Sequence, residues 1–150
     1  MNELKLEIKP KVGLGDLNFG EIPENVTKMM GEPGQAEDII TDDDLKTTIL
    51  SFDNGVTVFL EGLIEPIVSN FDVDNQNAIL YGKRVFDLNE NEISELMKSN
   101  GFAKLEKEEE EWGETRMTFE DALIDFYFED GKLVAVSWGV MINDDGSIAS

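Results

Sequence analysis

The chain matches itself when it is shifted by 67 residues without a gap. The matched positions are glycines, aromatic residues and apolar residues at helical spacing, and they include Gly15 with Gly82, Phe19 with Phe86, Phe52 with Phe119 and Phe59 with Phe126. Solenoid repeats are shorter, at about 20 to 50 residues, so two long copies favour a pair that shares one core. We predict a single compact domain, residues 1–150, made of two pseudo-twofold repeats, 1–74 and 75–150. The alternative is one α+β domain whose halves happen to have similar spacing.

Each copy is predicted to contain one short helix. In the first copy, Pro23 suits the first helical turn because its missing N–H needs no partner there, and Gly31 ends the helix. In the second copy, Asn89 and Glu92 have the spacing of a capping box, so the helix begins at Glu90. Pro23 and Glu90 are themselves 67 residues apart, so both predicted helix starts obey the shift.

Alternating apolar residues predict the strands around these helices. Asn54-Gly55 predicts a tight hairpin in the first copy, and Asp130-Gly131 predicts one in the second. The predicted strands are 4–8, 47–52, 56–60, 67–71, 115–119, 123–128 and 132–138. Each copy then has the order β-α-β-β-β. The fold class is α+β, a mostly antiparallel sheet with two helices on one face and the other face free to bind a ligand or partner.

The chain contains neither cysteine nor histidine. Disulfides, thiolate metal sites and cysteine nucleophiles are therefore excluded, and serine triads and most zinc sites lose their imidazole. Carboxylates remain, and a pair of them can act as acid and base or bind calcium or magnesium. We predict a protein that is not an enzyme and carries no cofactor. A carboxylate-based hydrolase is the enzymatic alternative.

The net charge of −21 is shared almost equally by the two halves. Such a body repels nucleic acid and anionic membranes, and it attracts a protein with a basic surface. The chain has no apolar run long enough to span a membrane, and its first residues alternate charged and aliphatic types instead of forming a signal peptide. We therefore expect a cytoplasmic protein with a basic protein partner. The oligomeric state is left open.

Two acidic clusters lie opposite each other under the 67-residue shift. Their members are Asp42, Asp43 and Asp44 in the first copy and Glu109, Glu110 and Glu111 in the second. Both are predicted to lie in the connection between helix and hairpin. They are either solvated loops or a double acidic rim that binds a partner. A small-molecule or divalent-cation binding module that uses these loops is the alternative function.

A second candidate surface comes from the strand predicted near the end of the chain. Because side chains alternate along a strand, Ile124, Phe126 and Phe128 share one face, and Asp125 and Tyr127 fall on the other. Tyrosine offers apolar area and one hydrogen bond, which suits it to protein interfaces. We therefore predict that Asp125 and Tyr127 contact a partner.

Several stretches carry a resemblance to a known group of proteins. They are LYGKRVFDL at 80–88, FYFEDGKL at 126–133, VSWG at 136–139 with Asp144-Asp145 after it, GLG at 13–15 and GEP at 31–33. The chain resembles a group of small acidic bacterial proteins that lack an assigned function and are often taken to be immunity-type partners of toxins. The resemblance implies a non-enzymatic inhibitor of a basic toxin or enzyme. The shared pattern contains no catalytic residue.

Overall fold

The computed structural model describes residues 6–40, 46–62, 65–109, 113–142 and 148. The helices in this part are α1 (Pro23–Met30) and α2 (Glu90–Ser99), with 3₁₀ turns at Val85–Asp87 and Glu120–Ala122. The strands are β1 (Glu7–Lys9), β2 (Gly13–Leu14), β3 (Leu17–Asn18), β4 (Gln35–Ile40), β5 (Lys46–Ser51), β6 (Val56–Gly62), β7 (Ile67–Val73), β8 (Ile79–Leu80), β9 (Lys83–Arg84), β10 (Leu105–Glu109), β11 (Glu114–Phe119), β12 (Ile124–Glu129) and β13 (Lys132–Gly139).

The main sheet has eight strands in the order β10-β11-β12-β13-β7-β6-β5-β4. Every neighbouring pair in it is antiparallel. Two four-stranded meanders, β4 to β7 and β10 to β13, therefore meet where β7 pairs with β13 at the centre. The predicted mostly antiparallel α+β fold is confirmed.

A smaller sheet has the order β3-β2-β1-β8-β9. In it β1 pairs antiparallel with β2 and parallel with β8. Its side chains Ile8, Leu14, Leu17 and Leu80 are buried in the same apolar cluster as the main sheet. The indole Nε1 of Trp138 in β13 donates a buried hydrogen bond of 3.0 Å to the carbonyl oxygen of Gly13 in β2, and this bond ties the two sheets together.

The helices lie on the core side of the main sheet, since Val26 of α1 and Ile93 and Met97 of α2 are buried in the core cluster. Lys107 of β10 forms an ion pair of 3.0 Å with Glu90 at the start of α2. Phe19, just before α1, packs its ring 5.3 Å from the ring of Phe71 in β7. Lys107 and Phe71 both belong to the face that carries the core, since the cross-strand neighbours of each, Met117 and Trp138, are buried.

Both predicted helix starts are confirmed. Pro23 is the first residue of α1, and Asn89 caps α2. The Glu92 backbone N–H donates to the Asn89 side chain at 2.9 Å, and the Asn89 N–H donates to the Glu92 carboxylate at 3.0 Å. This reciprocal pair satisfies two N–H groups that a helix start otherwise leaves free.

The order within each half differs from the predicted β-α-β-β-β. The segments 35–40 and 105–109, predicted as connections, are strands β4 and β10 at the two edges of the main sheet. A short hairpin also precedes each helix, β2 with β3 in the first half and β8 with β9 in the second. The predicted first strand, 4–8, overlaps β1, and residues 4 and 5 lie outside the described part.

The ungapped 67-residue register fails at one pair of phenylalanines. Phe59 in β6 is half-buried, whereas Phe126 in β12 is fully buried on the opposite face. Three residues (53–55) separate the buried Phe52 from β6, whereas four, Glu120–Ala122 and Leu123 with φ 53°, separate the buried Phe119 from β12. A slip of one residue moves every side chain of a strand to its other face. The sequence match between Phe59 and Phe126 therefore does not correspond to equivalent positions.

Candidate interaction surface on the open sheet face

The face of the main sheet turned away from the helices carries half-buried side chains at alternate positions. We call this surface the open face. Its central members are Ile49, Phe59, Asn70, Asp72, Arg116, Thr118, Asp125, Tyr127, Ala135 and Ser137. All are partly exposed, whereas their neighbours on the other face of the central strands form the core.

A continuous row of polar residues crosses the open face. The strand registers bring one residue from each strand opposite the next: Glu106, Thr118, Asp125, Ser137, Asp72, Thr57, Ser51 and Gln35. Directly opposite residues of an antiparallel pair have Cβ atoms about 4.5–5.5 Å apart. The eight side chains therefore form one polar stripe, with carboxylates near its centre and at one end.

Asp72 lies at the centre of this stripe, where the two meanders meet. Asn70 Nδ2 donates to Asp72 Oδ1 at 3.3 Å and to Ser137 Oγ at 3.2 Å. Burial raises the pKa of Asp72 above 3.8, and the negative charge of Asp125 adds to the rise, against hydrogen bonds from Ser137 and Asn70 that lower it. Burial and the charge of Asp125 therefore destabilise the ionised carboxylate of Asp72 more than the two hydrogen bonds stabilise it.

We expect Asp72→Asn to raise the melting temperature at pH 7. The native state keeps its proton on Asp72 to a higher pH than the unfolded chain does, so stability falls as the pH rises from 3.8 through the folded pKa. Asparagine removes this loss and still offers an oxygen to Asn70. Each 1 kcal/mol gained corresponds to about 2–4 °C in a protein of this size.

Thermal melts from pH 3 to pH 7 test this prediction. The variant and the wild type should converge at pH 3, where the carboxyl is protonated in both states, and separate as the pH rises. Asp16→Asn, at an exposed carboxylate of a turn, is the matched control and should leave the difference between pH 3 and pH 7 unchanged. A variant that is less stable than the wild type at pH 7 would contradict the prediction.

Asp125 and Tyr127 both lie on the open face, as predicted from the alternation of β12, while Ile124, Phe126 and Phe128 are buried. Asp125 accepts a hydrogen bond from the Thr118 hydroxyl. Burial raises the pKa of Tyr127, and the charge of Asp125 raises it further. The phenol is therefore neutral at physiological pH and presents an apolar ring with a hydrogen-bonding tip.

Arg116 stands directly opposite Tyr127 across the β11–β12 pair. Its guanidinium forms an ion pair of 2.7 Å with Glu108 on the neighbouring strand β10. That charge is the largest cause of the raised pKa of Arg116. The one open-face arginine is thus engaged with an acid of the same sheet, and among the central members of the open face it is the sole cation beside the carboxylates Asp72 and Asp125.

A groove of about 420 Å³ opens at the start of β12, where the polar stripe meets the 3₁₀ turn Glu120–Ala122. Thr118, Asp125 and Glu120 supply its polar lining, and Leu123 and Met141 supply exposed apolar walls. Close by, the pKa of Glu106 is raised, chiefly by a hydrogen bond with the Glu120 carboxyl and by its charge. Carboxylates and apolar surface thus stand side by side, an arrangement that suits the stem and charged head of a lysine or arginine side chain.

Of the two predicted acidic clusters, the structure describes Glu109 alone. Asp42, Asp43, Asp44, Glu110 and Glu111 lie outside the described residues. Glu109 is exposed at the end of β10, pairs with Lys107 at 3.4 Å and stands opposite Thr115, on the helix side of the sheet. The structure therefore does not bring Glu109 together with Asp125 and Tyr127.

Five polar central members of the open face were missed from the sequence: Asn70, Asp72, Arg116, Thr118 and Ser137. The predicted strand 67–71 stops before Asp72, but β7 continues to Val73. The alternation of Asn70 and Asp72 with the buried Phe71 and Val73 was the available signal for the longer strand.

Comparisons with known proteins give little similarity. No family model matches the chain, and no curated protein matches it. Among solved structures, it is similar to an extracellular protein containing an SCP domain from Bacillus anthracis str. Ames, with a TM-score of 0.46 and 14% sequence identity. The match covers 92% of this chain and 50% of that one, so the chain spans about half the length of that protein.

Two further findings concern membranes and metals. No helix within the described ranges is long and apolar enough to cross a membrane. In the same part of the chain, no group of three or more histidine, cysteine, aspartate or glutamate side chains is arranged so that it could hold a metal ion.

Proposed function

We propose that the protein is a non-enzymatic binding protein that holds a basic surface of another protein against its open face, as an immunity-type inhibitor does. The observation that carries this proposal is the open face itself. It combines half-buried carboxylates, Asp72 and Asp125, with the partly exposed rings of Phe59 and Tyr127 on one side of a large sheet.

The charge of the whole chain determines the approach of the partner. A body with a net charge of −21 steers a basic protein towards it and raises the association rate, an effect that salt screens. Slow dissociation requires surface from which water is excluded. Aromatic residues at the centre of an interface contribute much of this binding energy. Tyr127 and Phe59 lie on either side of the polar stripe and are placed for that role.

The two carboxylates at the centre of the open face determine which partner fits. A lysine or arginine placed between Asp72 and Asp125 would offset the unfavourable burial of Asp72 and the repulsion between the two charges. An acidic or neutral partner would bury both carboxylates without a counter-charge, which is strongly unfavourable. The open face therefore selects for a basic surface as well as attracting one.

We also infer that the two halves arose by duplication of one unit. Each half contains a short hairpin, a helix and a four-stranded meander in the same order, although β1 is added before the hairpin in the first half and a 3₁₀ turn after it in the second. The helix starts at Pro23 and Glu90 are 67 residues apart, and the last strands of the meanders, β7 and β13, pair antiparallel, as a twofold relation between the halves requires. The broken register at Phe59 and Phe126 is explained by one additional residue in a turn.

Site-specific photo-cross-linking tests the proposed function. Benzoylphenylalanine replaces Tyr127 on the open face, and in a control variant it replaces Glu95, an exposed residue of α2 on the opposite side of the sheet. Each variant is irradiated in an extract of the cells from which the protein comes. We expect position 127 to yield an adduct with one basic protein, identified by mass spectrometry, and position 95 not to yield it.

Salt provides the second control. In about 1 M NaCl the Debye length falls to about 3 Å, so the adduct from position 127 should weaken strongly. The proposal fails if position 127 yields no adduct at low salt, if positions 95 and 127 yield the same adducts, or if the protein captured at position 127 is acidic.

A further inference from the structure

Strand β4 forms one edge of the main sheet and is exposed along its whole length. Ile39 is 41% exposed and Ile40 is 70% exposed, on opposite faces of the strand. On its inner side β4 pairs with β5 from Gln35 to Ile40. About half of the backbone N–H and C=O groups of an edge strand point away from the sheet, where they can pair with another strand.

The opposite edge of the sheet is protected. Strand β10 carries Lys107 at its centre, and this lysine is held by Glu90 of α2 at 3.0 Å and by Glu109 at 3.4 Å. Charged side chains, lysine above all, discourage the addition of a further strand to a sheet edge. Strand β4 carries two acids, Glu37 and Asp38, but neither lysine nor proline, and it exposes two isoleucines where β10 exposes Leu105 alone.

We propose that β4 takes up one more strand, an extended basic segment of a partner protein. Glu37 projects from the open-face side of β4 and has no ion-pair partner among the described residues, so it is available to a cationic side chain. A groove of about 410 Å³, lined by Gln35, Ala36, Glu37, Ile49 and Ser51, lies over β4 and β5 beside Glu37, so a long cationic side chain of the added strand can reach across β4 into it. Strand addition of this kind draws its affinity from main-chain hydrogen bonds and its specificity from such pockets.

The acidic residues of β4 favour a basic segment over a second copy of the chain as the added strand. Antiparallel pairing of β4 with itself would bring Glu37 and Asp38 against the same acidic residues of the other copy, within two bodies that each carry −21. Like charges directly opposite each other in a sheet are destabilising. The inference extends the proposed function, since the segment belongs to a basic partner, but it concerns the outer edge of the sheet at β4 instead of the centre of the open face, and it is tested without that partner.

The test uses a synthetic peptide and the labelled protein. An eight-residue peptide of alternating lysine and valine, capped at both ends, is titrated into ¹⁵N-labelled protein, and amide shifts and hydrogen exchange are followed by NMR. We expect the shifts and the slowed exchange to concentrate in 35–40. A peptide of the same sequence with N-methyl groups on alternate residues keeps the charge but loses half of its backbone donors, so it should bind at least tenfold more weakly.

A matched pair of variants locates the site. Ile39→Lys adds an edge lysine to β4, and Leu105→Lys makes the same change of charge and size at β10. Ile39→Lys should weaken binding of the alternating peptide at least tenfold, and Leu105→Lys should leave it within twofold. Equal binding of the methylated peptide, equal effects of the two variants, or a dimer of the chain alone that Ile39→Lys abolishes would overturn the inference. The cross-linking result at position 127 is independent of all three.

Discussion

Trp138→Ala is expected to lower the free energy of unfolding by about 3–5 kcal/mol, the range for removing a large buried aromatic side chain. Trp138 is 1% exposed and lies in β13, beside the centre of the main sheet. Its ring stacks on Phe71 with centroids 5.4 Å apart and an interplanar angle of 27°. Its indole N–H satisfies the carbonyl of Gly13 in the small sheet, so alanine leaves both a cavity and an unpaired buried carbonyl.

Urea denaturation followed by far-ultraviolet circular dichroism measures this loss without depending on tryptophan fluorescence. Trp138→Phe separates the two contributions, since phenylalanine restores most of the packing but not the hydrogen bond to Gly13, and it should cost about 1–3 kcal/mol. Val12→Ala, at a half-exposed position, should stay within about 0.5 kcal/mol of the wild type. A Trp138→Ala protein that unfolds within 1 kcal/mol of the wild type would show that the two sheets do not depend on this contact.

The local features of the sequence predicted the helices well. Pro23, Asn89 and Glu92 act through contacts within one turn of chain, and such contacts are visible from spacing alone. The Asn54-Gly55 and Asp130-Gly131 turns are predictable for the same reason, because the residues that enter positive φ are glycine and aspartate themselves. These elements needed no information from the rest of the fold.

The edge strands were missed because their sequences lack the expected pattern. Periodicity detects a strand when one of its faces is buried, but β4 and β10 are exposed on both. Their sequences, QAEDII and LEKEE, therefore have the pattern of polar connections. Pairing with β5 and β11 makes them strands, and that pairing depends on hydrogen bonds between residues that alternation of apolar side chains does not reveal.

The candidate site was predicted in part. Asp125 and Tyr127 were placed by alternation within a single strand, beside three residues that are buried in the core. Asp72, Ser137 and Thr118 come from three other strands, and the registers alone bring them into line with Asp125. A register depends on turn lengths, as the additional residue before β12 illustrates, and a difference of one residue in a turn is invisible to an ungapped match.

With the partner in hand, Tyr127→Ala is expected to raise its dissociation rate at least thirtyfold, which corresponds to about 2 kcal/mol, the threshold of an interface hot spot. The ring is half-buried beside the carboxylates, so truncation removes apolar contact where water is most easily excluded. Tyr127→Phe keeps the ring and loses the hydroxyl, and it should retain most of the affinity. Surface plasmon resonance gives both rate constants. If Tyr127→Ala dissociates as slowly as the wild type, the open face is not the interface.

Asp125→Lys is expected to act on the association rate and on its salt dependence. The substitution places a positive charge in the polar stripe opposite Ser137 and two strands from Asp72, where a basic partner must approach. Glu95→Lys makes the same change of charge on α2, on the other side of the sheet. Because mutation of an interface charge alters chiefly the association rate and its response to salt, Asp125→Lys should slow association at least tenfold more than Glu95→Lys at low salt, and the two should converge in about 1 M NaCl. If both variants slow association equally, the partner is attracted by the net charge of the whole protein, and the carboxylates of the open face have no specific role in association.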